Sequence, residues 1–335
     1  MKVTENKDLS SLNSFGVEAR AERFVEWETA DELAGVFTGG IGGEWTVIAG
    51  GNNILFTKDY SGTLLHPVSR GIGATAEDAE KVSVRAEAGV DWDDFVGWCI
   101  ARGVWGTENL SGIPGTVGAC PIQNIGAYGA EARDIIASVE CFDAVSRTTV
   151  TIAGGHCAFG YRDSIFKRSL KGRAIITAVN FSLWKEPRPN LSYHALEEEV
   201  AALGGPTLEN IRQAVVSIRS SKLPDPRVTG NAGSFFKNPV VDDDAAHRIA
   251  AEYPSMPLYP AGIPGKSKLA AGWLIEQAGW KGRTEGRVGI HPRQALIVVN
   301  LGGATGAEIV AFARRVQDGV RAMFGIELET EVNII

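Results

Sequence analysis

The chain has 335 residues, with 33 Lys and Arg against 40 Asp and Glu, a formal net charge of −7, and 44% hydrophobic and 22% charged residues. That length exceeds one small domain of roughly 100 to 200 residues, and the composition belongs to a globular chain rather than a disordered or fibrous one. The acidic balance gives no basic footprint for nucleic acid or an anionic membrane, so a small-molecule partner is expected.

The first ten residues lack the apolar stretch of a signal peptide, and no run of about 18 apolar residues follows, so a cytoplasmic protein is expected. Residues 23–27 read as a strand, and Thr29-x-x-Glu32 as a capping box opening a helix over 31–37. A strand over 46–49 runs into the turn Gly50-Gly51-Asn52-Asn53. The stretch 81–89 alternates like a half-exposed strand, and 91–102 predicts a helix with Trp92, Phe95, Val96 and Cys99 on one face. Strands over 137–142, 147–152 and 174–183 complete a mixed α+β first domain.

Between these elements lies 109–129, too rich in Gly and Pro for a regular element and long enough to suggest function. After Trp184 the proline-bearing 185–193 reads as a linker or mobile loop, followed by a helix over 195–203 and an amphipathic helix over 207–220. The last third predicts helices over 242–253, 267–278 and 305–324, the last opened by Thr305-x-x-Glu308 and stopped by Gly325. With strands over 295–300 and 326–332 these make a second, α/β unit.

Several patterns bear on chemistry. The Gly50–Asn53 turn lets backbone N–H groups approach a phosphate, although a tight turn needs no ligand. In the long loop Gly112, Gly115, Gly118, Gly126 and Gly129 expose backbone donors beside Gln123, Asn124 and Tyr128, a surface suited to a large planar cofactor bearing phosphate. Gly71-Ile-Gly-Ala-Thr-Ala76 nearly fits the dinucleotide fingerprint, but no clear strand precedes it and no clear helix follows, so it is rejected. No GxxxxGK[ST] loop, GxSxG elbow, HExxH or CxxC occurs, and no metal is expected; Cys99, Cys120, Cys141 and Cys157 read as small buried hydrophobes.

Tyr161-Arg162-Asp163 packs a phenol, a guanidinium and a carboxylate together. Arg162 suits a carboxylate or enolate oxygen because its planar fork binds two oxygens at once, unless it pairs with a neighbour such as Asp163. Ser234 follows a glycine and precedes two phenylalanines, where its hydroxyl is either a held proton donor or a local hydrogen-bonder of the turn.

Taken in order, Asn13-Ser-Phe-Gly16, Gly50-Gly51-Asn52-Asn53, Leu110-Ser-Gly-Ile-Pro-Gly115, Gln123-Asn-Ile-Gly-Ala-Tyr-Gly129, Tyr161-Arg-Asp-Ser164, Gly230-Asn-Ala-Gly-Ser-Phe-Phe-Lys-Asn-Pro239, Lys268-Leu-Ala-Ala-Gly-Trp-Leu-Ile275 and Leu328-Glu-Thr-Glu-Val332 resemble the motifs of the UDP-N-acetylenolpyruvoylglucosamine reductases. The Tyr193 segment resembles the mobile tyrosine loop of one subclass. The resemblance spans almost the whole chain. It implies an FAD-binding domain of the PCMH or vanillyl-alcohol-oxidase type over 1–185, with lobes at about 1–67 and 68–185. A tyrosine loop and connecting helix over 186–206 and a smaller α/β substrate-binding domain over 207–335 would follow.

By the same resemblance FAD is held non-covalently by Gly50, Gly51, Asn52, Asn53, Ser111, Gly112, Ile113, Gly115, Gly118, Ala119, Gln123, Asn124, Gly126 and Tyr128. The implied activity is a step of peptidoglycan precursor synthesis in which NADPH reduces UDP-N-acetylglucosamine enolpyruvate through the flavin, the two substrates sharing one site. Hydride goes to the enolpyruvyl methylene carbon and Ser234 protonates the adjacent carbon, while Arg162 and Glu331 stabilise the enolic charge. Tyr161, Tyr193, Lys222, Asn238, Tyr259, Lys281 and Gln294 are the implied substrate contacts, and a monomer is expected. Asn52 stands where the family commonly has serine, and Ala119 where some relatives have a hydroxyl, so one or two FAD contacts would differ. The competing readings are another flavin-dependent oxidase of the same fold and a non-catalytic UDP-sugar sensor.

Overall fold

The strand Arg20–Trp27 buries Ala21, Phe24, Val25 and Trp27, and Thr29 then caps helix Ala30–Thr38, its hydroxyl accepting the Glu32 N–H at 3.2 Å. Glu32 reaches back one residue beyond the cap, to the Glu28 N–H at 2.7 Å. These elements belong to a computed structural model that describes residues 1–41 and 43–335. By its internal contacts the chain divides into two units, the first Met1–Lys7, Ala21–Gly50 and Ser61–Ser221, the second Asp8–Arg20, Gly51–Tyr60 and Lys222–Ile335.

In the first unit a four-stranded sheet runs in the order Lys2–Asp8, Arg20–Trp27, Tyr60–Pro67, Trp45–Val47, the last pair parallel with Thr46 opposite Leu64. A five-stranded sheet runs Thr148–Ala153, Ile136–Asp143, Ala174–Trp184, Lys81–Glu87, Ile72–Glu77, antiparallel throughout. All of the rejected dinucleotide fingerprint but Gly71 lies in the extended strand Ile72–Glu77, so no strand-to-helix phosphate turn forms there.

Asp91 caps helix Trp92–Ile100 by accepting the N–H groups of Asp93 and Asp94. The helix buries Trp92, Phe95, Val96 and Cys99 as their spacing requires, with Phe95 stacked on Phe181 of the sheet, ring centroids 4.5 Å apart. Each large apolar side chain buried this way contributes about 1.5–3 kcal/mol. All four cysteines are free and buried.

Helix Leu208–Lys222, expected with the C-terminal domain, instead packs Leu208, Ile211, Ala214, Val215 and Ile218 into this first-unit core. Its amphipathic spacing specifies which face is buried, but not which core receives it.

The second unit has a three-stranded sheet in the order Val240–Asp242, Lys266–Leu269, Leu258–Pro260 and another in the order Thr284–Glu285, Val288–Ile290, Val298–Asn300. Helix Gly306–Phe324 opens on the full Thr305–Glu308 capping box and stops at Gly325, whose φ of 68° is left-handed.

Two further expectations are corrected. The predicted helix over 267–278 is a strand, Lys266–Leu269, paired on both edges, and the helix starts only at Ala271 and ends at Gln277. The predicted strand over 326–332 forms no such ladder: Asn333–Ile334 pairs in parallel with Ile54–Leu55, and the backbone of 329–331 bonds to that of the short stretch 235–237 ahead of Pro239. Proline has no N–H to extend that pairing. No helix among the described residues is long and apolar enough to cross a membrane.

Candidate active site

In the first unit the glycine-rich stretch 109–129 folds as two short 3₁₀ turns, Glu108–Leu110 and Val117–Ala119, and a small hairpin, Gly126–Ala127 with Ala130–Glu131. Part of its glycine content serves packing rather than donation. A Cβ on Gly118 would lie 2.7 Å from the Ala88 Cβ, and its N–H donates to the Ala88 carbonyl at 3.0 Å. Gly112 is gripped on both sides: its N–H donates to Asp93 at 2.6 Å and its carbonyl accepts the Arg219 Nε–H at 3.0 Å. Arg212 in turn holds Asp93 through two 2.7 Å bonds. The Ala119 N–H is bonded to Thr116, and the Ser111 hydroxyl donates to the Glu108 carbonyl at 2.6 Å. The backbone donors expected of Gly112 and Gly118 are therefore used inside the protein, as is the Ala119 N–H.

Unpartnered hydroxyls lie in and beside this stretch. The hydroxyls of Ser69 and Thr116 are buried and have no hydrogen-bond partner. Both border the stretch 88–92: a Cβ on Gly89 would lie 2.5 Å from the Ser69 carbonyl oxygen, and Asp91 bridges to Thr116. Buried hydroxyls are nearly always satisfied in a folded protein, so a polar ligand is the natural partner here. Glycine conformations at Gly112 (φ 66°) and Gly115 (φ 133°) shape the adjoining turn. The donor set fits a nucleotide cofactor such as FAD. Ser69 and Thr116 were not singled out from sequence, because an isolated hydroxyl carries no pattern until its burial is known.

Arg162 lies against this hairpin, its Nη2 donating to the Gly126 carbonyl at 2.9 Å and its Nη1 to that of Asn124 at 3.4 Å. Its neighbour Asp163 pairs with Arg168 at 3.2 Å. Asn124 is buried, donates to Glu131 and the Gly160 carbonyl, and accepts the Arg133 N–H. Asn124, Tyr128 and Arg162 all have left-handed φ, 46°, 48° and 53°. Such conformations are costly for residues with side chains and cluster at functional sites. The Tyr128 ring meets Tyr193 edge to face at 5.2 Å, and the Tyr161 ring lies 5.6 Å from the Arg162 guanidinium. Burial pushes the Tyr128 phenol upward despite the nearby Arg219 charge, and burial pushes Arg219 itself down.

The second unit builds around Ser234. Gly233, left-handed at φ 70°, donates to the Asn231 side chain at 2.9 Å, and Asn231 is buried with its amide on the Thr229 carbonyl at 2.8 Å. The fully buried Phe235 fixes the other side, its ring 6.1 Å from Phe15 and its N–H donating to the Leu296 carbonyl at 2.8 Å. The Glu331 N–H donates to the Phe235 carbonyl at 2.8 Å, so Glu331 and Ser234 stand on adjoining segments. Asn53 joins them, its side chain donating to the Glu331 carbonyl at 3.2 Å.

Of the Gly50–Asn53 turn, Gly50 falls in the first unit and the rest in the second. Gly51 has φ 65°, and a Cβ there would come within 1.8 Å of the Leu12 carbonyl oxygen, so this glycine answers a close chain approach. Asn52 is half-buried in the same turn. Asn238 accepts the Ala271 N–H at 2.9 Å at the start of helix Ala271–Gln277, and the Gln294 side chain reaches that helix beside Gly272. Lys281 pairs with Glu276 at 2.8 Å, Tyr259 is exposed on a strand opposite Lys268, and Lys222 ends its helix. The first unit thus gathers Arg162, Tyr161, Tyr128, Tyr193, Asn124 and Gly126, and the second Ser234, Glu331, Asn53, Asn238 and Gln294. Among the described residues no group of three or more His, Cys, Asp or Glu is arranged to hold a metal.

Comparison with known proteins agrees with both halves. Residues 24–152 match the family model described as "FAD binding domain", and 225–335 match "UDP-N-acetylenolpyruvoylglucosamine reductase, C-terminal domain". UDP-N-acetylenolpyruvoylglucosamine reductase from Bacteroides fragilis strain YCH46 is 45% identical over 99% of this chain and 100% of its own. That from Pseudomonas aeruginosa is 44% identical over 100% and 99%. The crystal structure of the corresponding reductase from Thermus caldophilus has the same fold, with a TM-score of 0.70 at 21% identity, covering 99% of this chain and 98% of that one. With an FAD-binding domain in its first half and the matching C-terminal domain in its second, the chain belongs to the UDP-N-acetylenolpyruvoylglucosamine reductase family.

Proposed function

We propose that the chain reduces UDP-N-acetylglucosamine enolpyruvate to UDP-N-acetylmuramate in peptidoglycan precursor synthesis, as an FAD-dependent oxidoreductase using NADPH, with Arg162, Ser234 and Glu331 as its catalytic residues. A cytoplasmic location and a site used in turn by NADPH and the sugar nucleotide belong to this reading. The observation that carries it is the Ser234 turn, locked by Gly233, Asn231 and Phe235 and hydrogen-bonded through Phe235 to Glu331.

FAD, when bound, supplies the hydride that NADPH has provided. Ser69, Thr116 and the 109–129 turns of the first unit would hold it, with Gly50–Asn53 as the further expected contact. Hydride addition to the methylene carbon pushes negative charge onto the neighbouring carboxylate system. Arg162 is suited to that charge because two carbonyl oxygens already fix its guanidinium plane, and a pre-oriented cation loses nothing to reorganisation when charge develops. The Ser234 hydroxyl then gives its proton to the adjacent carbon. A serine is a weak acid in water, but a carbanion-like carbon is a strong base, and fixed placement makes the transfer effective. Glu331 polarises the same enolic system.

Tyr193, Tyr161, Lys222, Asn238, Tyr259, Lys281 and Gln294 are assigned to the sugar nucleotide, and the Tyr193 segment makes the chain one of the tyrosine-loop subclass. An oxidase of the same fold would not need Ser234 and Glu331 paired, and a sugar sensor would not need the hydroxyl held. The test follows NADPH oxidation by FAD-loaded protein with and without UDP-N-acetylglucosamine enolpyruvate. Substrate-dependent oxidation with formation of the lactyl ether is expected; oxidation at the same rate without the sugar nucleotide rejects the assignment.

A further inference from the structure

Residues 185–192, between strand Ala174–Trp184 and helix His194–Ala202, belong to no helix or strand, yet Asn190 is tied down through three of its polar groups. Its side-chain Nδ2 donates to the Gly129 carbonyl at 3.0 Å, and its Oδ1 accepts from the Ser192 N–H at 3.1 Å and the Ser192 hydroxyl at 2.7 Å. Its backbone carbonyl accepts from Asn109 Nδ2 at 2.8 Å. The same Asn109 nitrogen donates to the Tyr128 carbonyl at 2.8 Å. Two carbonyls facing one amide nitrogen fix the orientation of that amide, since its oxygen has no proton to offer them. Asn109 is buried, so neither bond competes freely with water. Gly129 completes the fit: a Cβ there would lie 2.6 Å from the Ser192 hydroxyl oxygen. Three residues beyond Asn190, the Tyr193 ring lies edge to face on Tyr128.

We propose that Asn109 and Asn190 form an amide clasp that fastens the Tyr193 segment to the Tyr128 hairpin, making them positioning residues for the sugar-nucleotide substrate. The inference rests on the reading of Tyr193 as a substrate contact given above. Asn109 anchors the cofactor-side hairpin and the Tyr193 segment with a single nitrogen. The clasp therefore sets where the tyrosine stands relative to the flavin-binding turns before any substrate arrives. Such preorganisation lowers the cost of ordering a loop on binding.

The experiment uses FAD-loaded, full-length Asn190→Asp. This change preserves size and the two Ser192 contacts but sets a carboxylate oxygen against the Gly129 carbonyl. The KM for UDP-N-acetylglucosamine enolpyruvate should rise about tenfold with kcat within about twofold, the pattern of lost positioning rather than lost chemistry. FAD stoichiometry should not change, and limited chymotrypsin cleavage after Tyr193 should quicken. An unchanged KM overturns the proposal, as does a KM rise accompanied by loss of FAD, which would assign the amide to the cofactor turns. Should Asn190→Asp fold poorly, Ser192→Ala removes only one clasp contact and should raise KM about two- to threefold with faster cleavage; no change in either overturns it. Wild-type protein without substrate-dependent NADPH oxidation would reject the proposed function instead, and the cleavage comparison would then judge the clasp alone.

Discussion

Ser234 is flanked by a glycine in a left-handed turn on one side and by a fully buried aromatic ring on the other, which fixes the backbone that carries its hydroxyl. In Ser234→Ala the backbone bonds of Gly233, Phe235 and Glu331 all remain, so the fold and the first-unit cofactor turns should be unaffected. The variant should retain FAD and its reduction by NADPH, seen as bleaching of the flavin absorbance, while product formation falls by at least about 10²-fold, the usual scale of a positioned proton donor. Normal turnover would show that Ser234 is a local hydrogen-bonder. Arg162 was legible as a chemical group, but its anchorage was not. The left-handed backbone that aims it at the Asn124 and Gly126 carbonyls comes from packing, and no residue type announces it.

At the scale of elements, Asp93 ties three pieces together: the first turn of its own helix, the Gly112 N–H and Arg212 of helix Leu208–Lys222. Burial pushes its carboxyl upward, but the Arg212 bonds, the Gly112 N–H and the nearby Arg219 charge outweigh burial and hold it below the ordinary carboxylate range. A depressed acid stabilises the folded state above its unfolded value near 3.9 and loses that contribution as pH falls through the lower folded value. The grip on Gly112 should therefore survive below the ordinary carboxylate range in the parent protein. Arg212→Gln removes a lowering influence and leaves burial in place, so acid release of FAD, followed by flavin fluorescence, should begin at higher pH in the variant. Release at the same pH in both proteins would mean that Asp93 does not secure the cofactor turn. The Arg212–Asp93 pair spans 119 positions of sequence and has no local signature, whereas the caps at Thr29 and Thr305 were readable because each closes within a few residues.

For the whole molecule, the second unit is discontinuous in sequence, taking Asp8–Arg20 and Gly51–Tyr60 from the first sixty residues. Phe15 packs on Phe235, Ile54–Leu55 pairs with Asn333–Ile334, and Gly306 has no room for a Cβ because the Phe56 carbonyl oxygen would lie 1.8 Å away. A fragment limited to 222–335 should consequently fail to fold cooperatively, giving poor amide dispersion by NMR and no sharp thermal transition. In the full chain Phe15→Ala should cost about 3–5 kcal/mol, the range for removing a buried aromatic ring, measured by chemical denaturation. A well-folded fragment would show that the two early segments are accessory.

Local signals alone determined the caps, the strand and helix faces with a regular apolar period, and the residue types suited to phosphate, carboxylate and proton transfer. They are local because each depends on neighbours one to four positions away. The motif order carried the family. Only the tertiary structure decided that helix Leu208–Lys222 joins the first-unit core, that 266–269 is a strand between two partners, and that Ser69 and Thr116 are buried hydroxyls without a mate. It likewise decided that Asn109 and Asn190 meet across 81 positions. Those outcomes depend on which surfaces are nearest once the chain has collapsed, and burial, which gives a polar group its energetic weight, exists only after that collapse.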